Sequence, residues 1–150
     1  MMYYTHLAFG LLISLLAFNF LNIENKILFV IIVLFFSLFP DIDETNSKIG
    51  RRSKLLSWPI NFFLGHRGLI HSIHIPVLLY IIFKIFNQDI AYAAVIGYLS
   101  HLIGDSITKA GIKPLYPLNI KISGFLKTGS LLEKVMFLGI MVLNAYLIIY

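Results

Sequence analysis

The stretch that decides the fold is ILFVIIVLFFSLFPDIDE, Ile27 to Glu44. It is apolar from Ile27 to Phe39 except for Ser37, then meets Pro40 and delivers Asp41, Asp43 and Glu44 in quick succession. A helix needs about 17–25 predominantly apolar residues to cross a bilayer, and this run approaches that length. An apolar helix can end in water without three carboxylates packed so closely, so the acids need a purpose of their own.

The rest of the chain agrees with a membrane setting. Its 150 residues are 59% hydrophobic and 13% charged, against about 25% charged in a soluble domain. There is too little polar side chain to coat a globule of this size. One domain, residues 1–150, is expected. The net charge of +5 is spread between apolar runs, a pattern that suits anionic headgroups and gives no reason to expect a nucleic-acid partner. Cysteine is absent, which excludes disulfides, thiolate zinc sites and cysteine nucleophiles.

Five apolar segments are candidate spans: residues 6–22, 24–39, 69–87, 90–107 and 131–149. The expected fold is therefore an all-α polytopic helical bundle. No Lys or Arg precedes the first segment and no small-residue cleavage motif follows Phe20, so a retained helix is expected there and not a signal peptide. Leu55 to Leu64 is apolar but too short to span, and with Trp58 and Pro59 it reads as interfacial or re-entrant. Residues 109–130, with Pro114 and Pro117, read as a loop on the membrane surface.

Of the chain's 12 Lys and Arg residues, all but Lys26 and Lys84 fall in two places. Lys48, Arg51, Arg52, Lys54 and Arg67 lie between spans two and three. Lys109, Lys113, Lys121, Lys127 and Lys134 lie between spans four and five or just inside span five. The positive-inside bias puts the N-terminus and both long loops in the cytoplasm and the C-terminus outside.

In that topology one membrane face collects the chemistry. His6 opens span one, Asp41 and Asp43 follow span two, His66 and His71 open span three, His101 and Asp105 close span four, and Glu133 opens span five. Taken singly, each reads more readily as a helix-end polar residue than as a ligand. The clustering of all five histidines on one side is not explained that way. His101 also lies one helical turn inside from Asp105, where an unsatisfied polar group is costly. At i and i+4 the two share one helix face. His74, three residues after His71, reads as a hydrogen-bonded buried histidine. The eight residues His6, Asp41, Asp43, His66, His71, His101, Asp105 and Glu133 form a nitrogen and oxygen ligand set. Such a set suits zinc, with manganese or iron as alternatives, better than calcium. It exceeds what one tetrahedral ion needs and would serve a two-metal site.

THLAFG (Thr5–Gly10), FPDIDE (Phe39–Glu44), GHRGLIHS (Gly65–Ser72), HLIGDSIT (His101–Thr108) and TGSLLEK (Thr128–Lys134) occur in this order. In that order the chain resembles the YdjM-like membrane-bound metal-dependent hydrolases, with the same eight residues at the polar motif positions. That family is distantly similar to zinc-dependent phospholipases C and single-strand-specific zinc nucleases, which are soluble, helical and cleave phosphodiesters. The resemblance implies a metal-dependent hydrolase.

The expected chemistry is hydrolysis by a metal-activated water at the cytoplasmic face, on a phosphoester of a membrane lipid or lipid-linked substrate. Asp43 or Glu133 would accept a proton, and Arg67 would clamp a phosphoryl oxygen or serve only as a topology-setting charge. The rivals are an ion or proton transporter and a structural metal site without hydrolysis. Confinement of the ionisable groups to one face disfavours transport.

Overall fold

The computed structural model describes residues 1–42 and 69–150. Among them the architecture is all-α, with five helices: α1 (Tyr3–Ala17), α2 (Lys26–Leu38), α3 (His74–Lys84), α4 (Gln88–Ser106) and α5 (Leu131–Ile149). Two short 3-10 turns, Phe39–Ile42 and Leu69–His71, flank the undescribed segment. The expected interfacial piece at 55–64 falls outside the described residues.

Local chemistry sets the helix ends. Asn25, Asn87 and Ser130 are N-caps whose side chains accept from Leu28, Ile90 and Glu133 N–H at 3.0, 3.0 and 3.4 Å, each satisfying an otherwise orphaned donor. Pro40 has no N–H to offer and disfavours helix before it, so α2 stops at Leu38 and the chain tightens into a 3-10 turn. Two expected spans are shorter than the apolar runs that predicted them. The first helix ends at Ala17, not 22, in a turn around Asn19. The third begins at His74, not 69. Pro76 would clash with the carbonyl of Ser72 in a helix continued backward, and it sits instead in the first turn, where it is tolerated.

The 15 residues of α1 and 11 of α3 extend about 22 and 17 Å, against a hydrocarbon core of about 30 Å. Among the described residues, only α5 is both long and apolar enough to cross a membrane by length and composition. Helix α4 matches it in length but carries Gln88, Asp89, Ser100, His101, Asp105 and Ser106.

Helix α4 is the hub, packed on α1, α2 and α3, while α5 packs on α1. Among its small buried residues, Ala93, Ala94 and Gly97 let Phe29, Val33 and Phe36 of α2 come close. A Cβ added at Gly97 would lie 2.9 Å from Phe36 Cβ and against the Val33 carbonyl, so only glycine fits this approach. Helix α5 buries only Glu133 and Asn144. The Asn144 side-chain amide donates to the Ala8 carbonyl at 2.9 Å, a polar pin between helices of the kind worth about 0.6–1.7 kcal/mol in a bilayer. Outward, the molecule presents large apolar side chains such as Ile27, Phe35, Ile81, Leu138 and Val142.

Residues 107–130 contain no helix, in keeping with the expected loop. They close on themselves through isolated bridges pairing Thr108 with Leu126 and Ile112 with Ile122.

Alanine at two glycines is expected to act with opposite signs. At Gly97 it forces α2 and α4 apart, at a cost of about 1–3 kcal/mol. At Gly139, where an added Cβ meets nothing within 4 Å, it gains up to about 1 kcal/mol of helix propensity. Thermal unfolding of the two variants in the same detergent checks this. Equal shifts would refute the close packing at Gly97.

Candidate metal centre

The site forms where the ends of four segments converge. The 3-10 turn after Pro40 swings Asp41 inward, the first turns of α1 supply His6, the turn before α3 supplies His71, and the last turns of α4 supply His101 and Asp105. All five are buried, from 0% exposed for His71 and His101 to 6% for Asp41.

His101 is the best defined of them. Its Nδ1 lies 2.8 Å from the Ser37 carbonyl, one of the carbonyls that the end of α2 leaves without a helical partner. A carbonyl only accepts, so Nδ1 carries the proton and Nε2 presents its lone pair to the cluster. That Nε2 has no hydrogen-bond partner, and neither has His6 Nδ1. Buried polar atoms are normally satisfied, so these nitrogens call for an explanation. His6 stacks on His101 with ring centroids 4.0 Å apart and planes 12° from parallel. His71 meets His101 edge-on at 5.4 Å, and its turn is braced by the Tyr98 hydroxyl, which donates to the Ile70 carbonyl.

Asp105 joins the rings. Its Oδ1 lies 3.3 Å from His6 Nε2, and its Oδ2 lies 3.8 Å from the Nε2 atoms of both His71 and His101. Asp41 Oδ1 is also 3.8 Å from His101 Nε2. The Met1 amino group contacts Asp105 Oδ1. Most of these N···O separations are too long for hydrogen bonds. With metal–ligand bonds of about 2.0–2.2 Å, neighbouring ligands in a tetrahedral site lie roughly 3.3–3.6 Å apart, so the donors stand close to ligand spacing already. Two groups can each hold an ion: His6, Asp41 and His101, and His71, His101 and Asp105. Because Ser37 engages Nδ1, His101 offers Nε2 alone, and the two groups compete for that one atom.

Of the eight residues expected in the ligand set, the structure brings together His6, Asp41, His71, His101 and Asp105. Asp43, His66 and Arg67 lie outside the described residues. Glu133 joins neither group. Its Oε1 accepts from Met2 N–H at 2.7 Å and its Oε2 from Gly129 N–H at 2.6 Å, so this buried carboxylate ties the start of α1 to the start of α5. His74, expected to be buried, is exposed and bonds Ser72 Oγ at 3.1 Å.

Sequence reasoning missed Ser37, Gly104 and Tyr98. The lone Ser37 in its apolar run was a visible anomaly, but its backbone carbonyl is what matters. Gly104 gives His6 its place: a Cβ there would stand 3.2 Å from both Cε1 and Nδ1 of the ring.

A family model described as YdjM inner membrane protein matches residues 1–150. The chain is 34% identical over 114 residues to the uncharacterized protein YvsG of Bacillus subtilis (strain 168), covering 73% of this chain and 71% of that one. It is 38% identical over 87 residues to the inner membrane protein YdjM of Escherichia coli (strain K12), covering 53% of this chain and 44% of YdjM. No solved structure matches.

Metal analysis of detergent-purified protein checks the site. Wild type is expected to carry a transition metal. His101→Ala, which removes the ligand common to both groups, should lose most of it, and Glu24→Ala at the opposite end of the bundle should lose none. A wild-type protein that is metal-free and cannot be loaded would remove the site.

Proposed function

The chain belongs to the YdjM inner membrane protein family, and on that premise we propose that it is a membrane-embedded metal-dependent hydrolase. Its substrate is a phosphoester of a lipid or lipid-linked molecule, reached at the cytoplasmic face. The observation that carries this reading is the buried His101 Nε2, its lone pair fixed by the Ser37 carbonyl among two further imidazoles and two carboxylates.

The apolar exterior supports embedding in the bilayer. Apolar side chains as exposed as Phe35 at 59% and Val142 at 72% would form a large unprotected patch in water and meet lipid at no such cost. The five helices are then five spans, the short ones completed by apolar flanks such as Phe18 to Leu21. The lysine and arginine bias puts the metal centre on the cytoplasmic side and Tyr150 outside.

His6, Asp41, His71, His101 and Asp105 would hold the ion, zinc being best suited to the set and manganese or iron also accommodated. His66 completes the set in this reading. When bound, a divalent metal lowers the pKa of a water from 15.7 toward about 7 and so makes a nucleophile available at neutral pH. The protein's own groups do the rest. The Ser37 carbonyl holds His101 in the tautomer that presents Nε2. Asp41 and Asp105 bring negative charge that offsets a dication in a buried site. Asp43 accepts the proton and Arg67 clamps a phosphoryl oxygen. Glu133, engaged by two backbone N–H groups, acts as a positioning residue for the first turn of α1, which carries His6. A polar substrate-binding domain is not needed for a substrate that arrives laterally in the membrane. The depth of burial favours one rival, a structural site with every position filled by protein.

Topology is checked by single cysteines in this cysteine-free chain. Ser123→Cys should be labelled only from the cytoplasm and Asn22→Cys only from outside, and the reverse pattern would overturn the orientation. Chemistry is checked by Asp43→Asn, which is expected to keep its metal and lose about 10²–10⁴-fold in phosphoesterase activity. Metal-loaded wild type inert toward phosphodiester, phosphomonoester and carboxylester lipids would leave the structural or transport reading in its place.

A further inference from the structure

The segment between α4 and α5 is built as a surface, not as a slack connection. The bridge of Thr108 with Leu126 is closed by Lys109 N–H to the Leu126 carbonyl at 2.9 Å and Leu126 N–H to the Ile107 carbonyl at 3.1 Å, and Gly124 N–H adds a bond to the Thr108 carbonyl at 3.0 Å. Ile112 and Ile122 exchange both backbone hydrogen bonds at 2.9 Å. This framework is two-sided. Leu126 and Ile112 turn inward, 1% and 5% exposed, while Leu118, Ile120 and Phe125 turn outward, 59%, 52% and 72% exposed. Large apolar residues on a loop so well fastened are not left outward for want of structure.

Its charge is equally one-sided. From Ile107 to Leu132 there is no Asp or Glu, and Lys109, Lys113, Lys121 and Lys127 are all in this stretch. Lys109, Lys121 and Lys127 are exposed, and the Lys113 ammonium donates to Asn119 at 2.6 Å. Exposed apolar wedges interleaved with unopposed lysines match a surface that is apolar below and anionic above, the boundary between acyl chains and phosphate headgroups.

The framework is also fastened at three points, two of them at or next to the metal centre and the third to Glu133, which holds the start of α1. Thr108 bonds the Asp105 carbonyl through both its N–H and its hydroxyl, at 3.0 and 2.8 Å. The Pro114 carbonyl accepts from Ile73 N–H at 2.9 Å, two residues past His71. Gly129 N–H binds Glu133 at 2.6 Å. The loop is thus the rim of the cluster.

We propose that residues 107–130 form a platform that docks on anionic phospholipid headgroups and holds them beside the metal centre. Phe125 and Leu118 enter the acyl boundary, and the lysines take the headgroup phosphates. The platform deepens the hydrolase reading by naming an anionic phospholipid as the class of molecule presented to the site, and it rests on that reading for its catalytic meaning alone.

The test reads lipid contact and not turnover, so an inert enzyme leaves it intact. The full chain carrying Trp58→Phe and Phe125→Trp is reconstituted in phosphatidylcholine vesicles containing brominated phosphatidylglycerol or, separately, brominated phosphatidylcholine at the same mole fraction. The expected result is quenching of the single tryptophan by both lipids, at least about twofold stronger for phosphatidylglycerol at low salt. Replacing Lys109, Lys121 and Lys127 together by Gln should erase the preference while quenching by phosphatidylcholine remains. The latter control shows that the variant is still folded and inserted. Lys84→Gln should leave the preference unchanged. Equal quenching by the two lipids in the starting protein would overturn the proposal, as would no quenching by either, or a preference that survives loss of the three lysines.

Discussion

The hydrogen bond from His101 Nδ1–H to the Ser37 carbonyl is the contact on which the rest of the arrangement depends. It joins the hub helix α4 to the end of α2, and it does so with a backbone group that the helix end would otherwise leave unpaired in an apolar setting, at a cost of several kcal/mol. One bond therefore satisfies a carbonyl, fixes a tautomer and aims a lone pair. Pro40 makes it possible by stopping α2 just beyond Ser37, and the same 3-10 turn brings Asp41 to within 3.8 Å of the nitrogen that the bond has oriented.

Around this contact the bundle is assembled from two kinds of packing. Between α2 and α4 small residues allow backbones to approach, with Gly97 against Val33 and Phe36. Between α1 and α5 there is little burial, and polar clamps take over: Glu133 on the Met2 amide and Asn144 on the Ala8 carbonyl, about three turns apart along α5. Where lipid replaces water, apolar area gives helices no reason to associate, so α5 can be almost wholly exposed and still be held. The first clamp also fixes the turn that carries His6, so the attachment of the outermost helix and the shape of the candidate metal centre share one carboxylate.

Much of this was legible in the sequence for physical reasons. Acids immediately after an apolar run, the i and i+4 spacing of His101 and Asp105, and the gathering of histidines at one set of helix ends all follow from residue type and helix period, and five of the eight residues singled out do lie together. Helix lengths were less legible. Hydropathy counts Phe18 to Leu21 and Leu69 to Ile73 as apolar, whereas asparagine turns and the Pro76 ring decide where the helices run. Backbone partners were not legible. Nothing in the residue Ser37 announces that its carbonyl binds a histidine, or in Glu133 that its two oxygens accept from the Met2 and Gly129 amides. His74 shows the same limit: a hydrogen-bonded buried side chain was expected, and it does bond Ser72, but Pro76 turns inward at the start of α3 and leaves His74 outside.

X-ray absorption at the edge of the bound metal tests the central claim most directly, because it reports the atoms around the ion without requiring a substrate. In purified, metal-loaded protein the expected spectrum shows only nitrogen and oxygen bound to the ion, at about 2.0–2.2 Å, with the outer-shell scattering of two or three imidazoles, and loss of one imidazole contribution or of the metal itself in His101→Ala. A shell with no imidazole contribution, or a spectrum unchanged by His101→Ala, would contradict it.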